Sequence, residues 1–184
     1  MVNGSNPAFI NLYNKYKQPI YVFCLKMVCD RAAAMDIAQE VFFKVFERRR
    51  QISQPALFKS WLYSIARNDC ISYFRMNNRF DHLDGNGEAG PDETQPSPLH
   101  HVETEEQIQY INRAIEHLTP QYREVILLRE YQNLSYSEIA GIIDIEESLV
   151  KSRLFSARRQ LYEMLKEYFP ERNRTCNVKK ELLP

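Results

Sequence analysis

Apolar positions recur at helical spacing in seven stretches of the chain, and their phase predicts which face of each stretch is buried. Before the middle of the chain the pattern predicts helices at residues 7–28, 32–49 and 55–77. The second is the clearest. Ala38, Val41, Phe42, Val45 and Phe46 form one stripe, while Asp36, Gln39, Glu40, Phe43 and Glu47 lie on the other side. A large aromatic among acids leaves two readings open: a scattered surface Phe, or the anchor of a protein-docking face. The third helix is apolar around much of its circumference, as suits the centre of a bundle. It is interrupted by a mainly polar and basic stripe of Ser64, Arg67, Asn68, Ile71 and Arg75.

The second half predicts helices at residues 102–117, 120–131, 135–143 and 147–168. Thr119 before Pro120 reads as an N-cap followed by proline at the first helical position, and Ser135 with Glu138 as a capping box. Ile139, Ala140, Ile142 and Ile143 give a short amphipathic helix, Asp144 a tight turn, and a longer basic helix follows, which is the helix-turn-helix pattern. Placed at 100° per residue, Val150, Leu154, Ala157 and Leu161 share the packing face of that last helix. Ser152, Phe155, Ser156 and Arg159 point away, with Lys151 and Arg158 on the flank. Hydroxyls, cations and one aromatic suit a major groove: cations reach guanine edges or phosphates, and Phe a thymine methyl. The expected fold class is therefore all-α, a three-helix bundle and a four-helix unit with a helix-turn-helix.

Charge sharpens the division. The chain has 24 basic and 24 acidic residues, but residues 1–79 hold 12 Lys and Arg against 5 Asp and Glu, a net +7. Residues 80–119 are net −8, with 1 basic against 9 acidic. Within that segment FDHLDGNGEAGPDETQPSP loses all apolar periodicity and reads as a flexible acidic linker that lets the two parts move relative to each other. The expected layout is residues 1–79, a linker at 80–101, a second domain at 102–169 and a tail at 170–184. Arg48, Arg49 and Arg50 end the second helix; one or two complement its dipole, while the excess across the whole block suits a polyanion. No CxxC pair or nearby His accompanies Cys24, Cys29, Cys70 or Cys176, so no metal is expected; the first three read as core thiols and Cys176 as exposed. With 5 glycines, no phosphate-binding loop, no HExxH and no nucleophile motif, the sequence predicts neither cofactor nor catalytic residues. A paired-carboxylate site is the remaining enzymatic alternative, and most acids fall on solvent faces or in the linker. No apolar run approaches the roughly 20 residues of a membrane span, and a cytoplasmic monomer is expected.

FKSWLYSIARND resembles conserved region 2 of the extracytoplasmic-function (ECF) sigma factors, and LTPQYREVILLREYQNLSYSEIAGIIDIEESLVKSRLFSARRQL resembles their region 4. DIAQEVFFKVF resembles the segment with which that family grips the polymerase clamp helices. The resemblance spans residues 7–78 and 102–169. It implies a non-enzymatic factor that binds core RNA polymerase at clamp helices and flap, directs it to a restricted promoter set, and helps melt promoter DNA. An anti-sigma factor is a further implied partner. Carried over by position, Asn68 contacts a flipped-out base of the -10 element, with Ser64, Arg67, Arg75 and the loop from Arg50 to Leu57 beside it. Lys151, Ser152, Phe155 and Ser156 read the -35 duplex, with Arg153, Arg158 and Arg159 as phosphate or packing residues. Asp36, Gln39, Glu40 and Phe43 match the polymerase-binding surface, and Trp61 the family's tryptophan, here with core filling as its expected role. Ser148 and Leu149 replace a frequent Gly-Thr pair and Ser156 a frequent basic residue, so relatives' -35 preferences do not transfer. The alternative is a stand-alone helix-turn-helix regulator that acts without polymerase.

Overall fold

The structure, a computed structural model, describes residues 6–49, 55–81, 102–166 and 168, and every regular element among them is helical. α1 (Asn6–Val28), α2 (Arg31–Arg48) and α3 (Phe58–Asp81) pack mutually, with a single 3-10 turn at Pro55–Leu57 leading into α3. α4 (Val102–Glu116), α5 (Pro120–Ile126), α6 (Tyr136–Ile143) and α7 (Glu147–Leu165) form the second group. α3 runs to Asp81 and so takes in the first two residues of the expected linker. The rest of that linker, Arg50, His82, His100, His101, Cys176 and the tail lie outside the described residues.

Local chemistry explains the element ends. Asp30 caps α2 by accepting from the Ala33 N–H at 2.9 Å. α1 ends in a left-handed residue, Cys29 at φ 56°, whose N–H reaches the Leu25 carbonyl at 2.8 Å. That position places Cys29 on the surface, so the expectation of a core thiol holds for buried Cys24 and Cys70 but fails for Cys29. Pro120 does open α5, but the Thr119 side chain makes no capping bond. Its carbonyl instead accepts from the Tyr122 and Arg123 N–H groups. The expected single helix at 120–131 is also divided, because Leu127–Tyr131 is wound as a π-helix. The Ser135–Glu138 capping box is fully formed, and Asp144 turns the chain in the left-handed conformation at φ 57°.

The stripes expected to be buried are buried. Ala38, Val41, Phe42 and Val45 are enclosed in the first group, and Val150, Leu154 and Ala157 in the second. Leu161 is only partly buried, and Phe46 is exposed, because it sits at the rim and packs edge-on against Phe9 at 5.1 Å. The two groups touch each other. α3 packs on α6, α1 touches α4 and α5, and the buried apolar residues of both groups form one continuous core.

Candidate nucleic-acid interface

α7 presents the predicted reading face. Its Val150–Leu154–Ala157 stripe is held against α5, α6 and α4, which forces Lys151, Ser152, Phe155 and Arg159 outward. Phe155 is 56% exposed, so its ring forgoes much of the stabilisation that burial of apolar area gives unless something covers it. Ser156 is half-buried beside it. The Lys151 ammonium lies 5.8 Å from the Tyr136 ring centroid, which tethers that cation to the first helix of the helix-turn-helix.

The other two arginines of α7 are engaged within the protein. Arg158 donates through Nε and Nη2 to one carboxylate oxygen of Glu130, at 3.2 and 2.6 Å. This pair is open to solvent and contributes little to stability. Arg153 donates to Glu124 at 3.3 Å, and Glu124 is only 2% exposed. Arg153 therefore has a buried partner inside the protein.

On α3, the stripe divides. Asn68 and Arg75 are exposed, whereas Ser64 is half-buried with its hydroxyl donating to the Trp61 carbonyl at 2.8 Å. Trp61 is partly buried against the core, as expected of a filler. Arg67, expected to face DNA, donates through Nε to Glu124 of the second group at 2.9 Å and through Nη1 to the Asn68 side-chain oxygen at 3.3 Å. Two guanidiniums from different groups thus meet on one buried carboxylate. Burial pushes the Glu124 carboxyl up from its ordinary value, opposed by hydrogen bonding and charge from Arg67 and then by the charge of Arg153.

Nothing in the sequence reading singled out Glu124, nor the contacts around it. Along the same face of α3, Lys59 donates to the Gln132 carbonyl, Ser60 lies 3.5 Å from Glu138, and fully buried Tyr63 donates to the Gln132 side chain. Lys26 of α1 donates to Asn112 at 2.6 Å. Arg123 is buried and donates to the carbonyls of Ile115, Glu116 and Leu118, to the Met27 carbonyl at 2.6 Å, and to Cys29 Sγ at 3.1 Å. Its charge sits at the C-terminal ends of α1 and α4, where exposed carbonyls carry the negative end of each helix dipole. A signal was present: Arg123 and Glu124 directly precede Val125, Ile126, Leu127 and Leu128, all buried, and charges set in so apolar a run need internal partners.

A second surface lies on α2. Asp36, Gln39, Glu40 and Phe43 are all exposed, with Phe43 at 57%. Lys44 steadies the edge of this surface, bonding Asp69 of α3 at 2.7 Å and approaching Glu40 at 3.5 Å. Ile10 and Tyr13 of α1 are exposed as well.

Residues 12–80 match the family model Sigma-70 region 2, and residues 108–161 match Sigma-70, region 4. ECF RNA polymerase sigma factor SigM of Bacillus subtilis is 31% identical over 152 residues, covering 82% of this chain and 90% of that protein. The chain belongs to the ECF sigma factors. The ECF RNA polymerase sigma-E factor of Escherichia coli K12 is likewise 31% identical, over 166 residues, covering 86% of each protein. The fold matches the sigma factor RpoE of Bartonella quintana, solved with the anti-sigma factor NepR, at a TM-score of 0.76 and 23% identity over 86% of this chain and 97% of that one. CnrH, solved with the cytosolic domain of CnrY, gives 0.65 at 17% identity over 90% and 92%. This sigma factor therefore binds core RNA polymerase and directs transcription initiation at promoters. Regulation without polymerase is not favoured. No helix among the described residues of the sigma factor is long and apolar enough to cross a membrane.

Proposed function

We propose that the two exposed faces divide promoter recognition, with α7 reading the -35 duplex and the C-terminal half of α3 reading the unpaired -10 strand. The observation that carries this reading is Phe155, outward on a helix whose opposite face is fully buried, with Lys151, Ser152 and Arg159 around it. Ser156, Arg153 and Arg158 complete the α7 set, with Arg153 and Arg158 released from their internal carboxylates on binding. Asn68 takes the flipped-out base, Arg75 lies along the strand, and Arg67, Ser64 and Arg50 join when the groups separate. Asp36, Gln39, Glu40 and Phe43 dock on the polymerase clamp helices, Phe43 as the apolar anchor.

The protein acts by binding and positioning and catalyses no covalent step. The layout is two domains, residues 1–79 and 102–169, joined by an acidic linker. An anti-sigma factor regulates it; the sigma factor RpoE of similar fold was solved with such a partner. Transcription with core polymerase on a promoter pool tests the assignment. Asn68→Ala is expected to lose open-complex formation while core binding stays unchanged; a parallel fall in core binding would falsify the placement of Asn68.

A further inference from the structure

Lys44 stands between the two surfaces that the proposed function gives to the first helical group, and belongs to neither. In sequence it follows Phe43, the proposed anchor on α2, while its partner Asp69 follows Asn68, the proposed base reader on α3. The Lys44 ammonium donates to Asp69 Oδ1 at 2.7 Å and lies 3.5 Å from Glu40. The Asp69 side chain is 17% exposed and the Glu40 side chain 54%, so water screens Glu40 far more and Asp69 is the stronger claimant. Among the described residues the second Asp69 oxygen, Oδ2, is buried and accepts no hydrogen bond, which leaves Lys44 to compensate the charge. A carboxylate kept buried without its cation is costly. Its release is outward, beside exposed Asn68, where a negative charge repels the phosphates of a DNA strand.

We propose that Lys44 is a positioning residue for promoter opening: it folds the Asp69 carboxylate against α2 and so keeps negative charge off the face that Asn68 offers to the -10 strand. The pair lies wholly within α2 and α3, so it does not depend on the second helical group. Docking of Glu40 on the polymerase removes the weaker claimant and leaves Lys44 on Asp69. The shield therefore stays in place in the holoenzyme, where the strand is read. This role rests on the proposed assignment of α3 to the -10 strand, so Asn68→Ala is measured beside the Lys44 variants.

Each full-length variant is loaded on core polymerase and given a promoter recovered from the transcription pool. Permanganate reactivity of unpaired thymines measures opening, and competition against labelled parent protein measures core binding. Lys44→Met is expected to keep core binding and to lower opening roughly tenfold, the scale of one uncompensated charge near a protein surface. Lys44→Arg retains the charge and is expected to open the promoter as the parent does. Adding Asp69→Asn to Lys44→Met removes the stranded carboxylate and is expected to restore opening, which the loss of a merely structural bridge would not allow. The deficit of Lys44→Met is also expected to shrink as salt rises. If melting curves show Lys44→Met to be unfolded, the double variant, which leaves no charge to bury, carries the test by itself. A double variant that fails to fold or keeps the deficit overturns the shield, as does a parallel loss of core binding in Lys44→Met. Parental opening by Asn68→Ala overturns the -10 assignment itself, whereas a deficit in Asn68→Ala with none in Lys44→Met overturns the shield alone.

Discussion

At the scale of single residues, α7 separates reading from folding with little overlap. Leu154 is 1% exposed and one residue from Phe155 at 56%, so neighbouring truncations have opposite consequences. Leu154→Ala removes a buried side chain from the seam with the preceding helices and is expected to cost about 2–5 kcal/mol. Phe155→Ala and Lys151→Ala remove exposed groups and leave the thermal midpoint nearly unchanged, yet weaken binding of a -35 duplex. Paired melting curves and duplex titrations check this; a large loss of stability in Phe155→Ala would mean the ring is structural. This division was legible from angular phase alone, because the apolar stripe fixes the rotation of the helix. The destination of Arg153 and Arg67 was not. Phase says which way a side chain leaves its helix, but a long guanidinium then reaches whatever lies within several ångströms, and here that was Glu124 of another element.

At the scale of elements, α6 shows how a short helix is made to stand. Its eight residues are too few for intrinsic stability, so the first turn depends on its cap. The Ser135 hydroxyl accepts from the Glu138 N–H at 3.2 Å, and the Ser135 N–H donates back to Glu138 at 2.8 Å. These bonds hold the Glu138 carboxyl below the ordinary carboxylate range, with the Ser135 N–H as the larger influence. A depressed carboxyl stabilises the fold above the ordinary range, and that contribution is lost as pH falls through the depressed value. Glu138→Gln is therefore expected to flatten the acid limb of the melting profile relative to the parent. Ser135→Ala is expected to cost about 1 kcal/mol at neutral pH; an unchanged midpoint in Ser135→Ala would show that packing against α3 alone holds α6. The box was legible because both partners lie three residues apart in sequence. The π-wound Leu127–Tyr131 segment and the idle Thr119 hydroxyl were not, since no local residue pattern marks either.

At the scale of the whole molecule, the sequence reading placed seven helices in two groups and set the second group's first helix at Val102, where α4 begins, but it did not say how the groups meet. Composition supports a linker without saying whether the bodies it joins touch. Their contact depends on side chains that meet across 57 to 96 positions of sequence, a separation at which no local pattern operates. Arg123 is the clearest case. It binds carbonyls at the ends of α1 and α4, so removing it strands buried acceptors in both groups at once. Arg123→Met keeps the bulk and apolar stem while deleting every donor, and is expected to cost about 3 kcal/mol or more. For a chain of this size that corresponds to a fall of roughly 6–12 °C in Tm. Arg123→Lys retains the charge but not the fork, and is expected to fall between the two, because one ammonium cannot span carbonyls on two helices. Differential scanning calorimetry of the three proteins measures the series. Equal midpoints for Met and Lys would show that the charge contributes nothing and that geometry alone matters, whereas equal midpoints for Lys and the parent would remove the guanidinium fork from the account of how the two groups are held together.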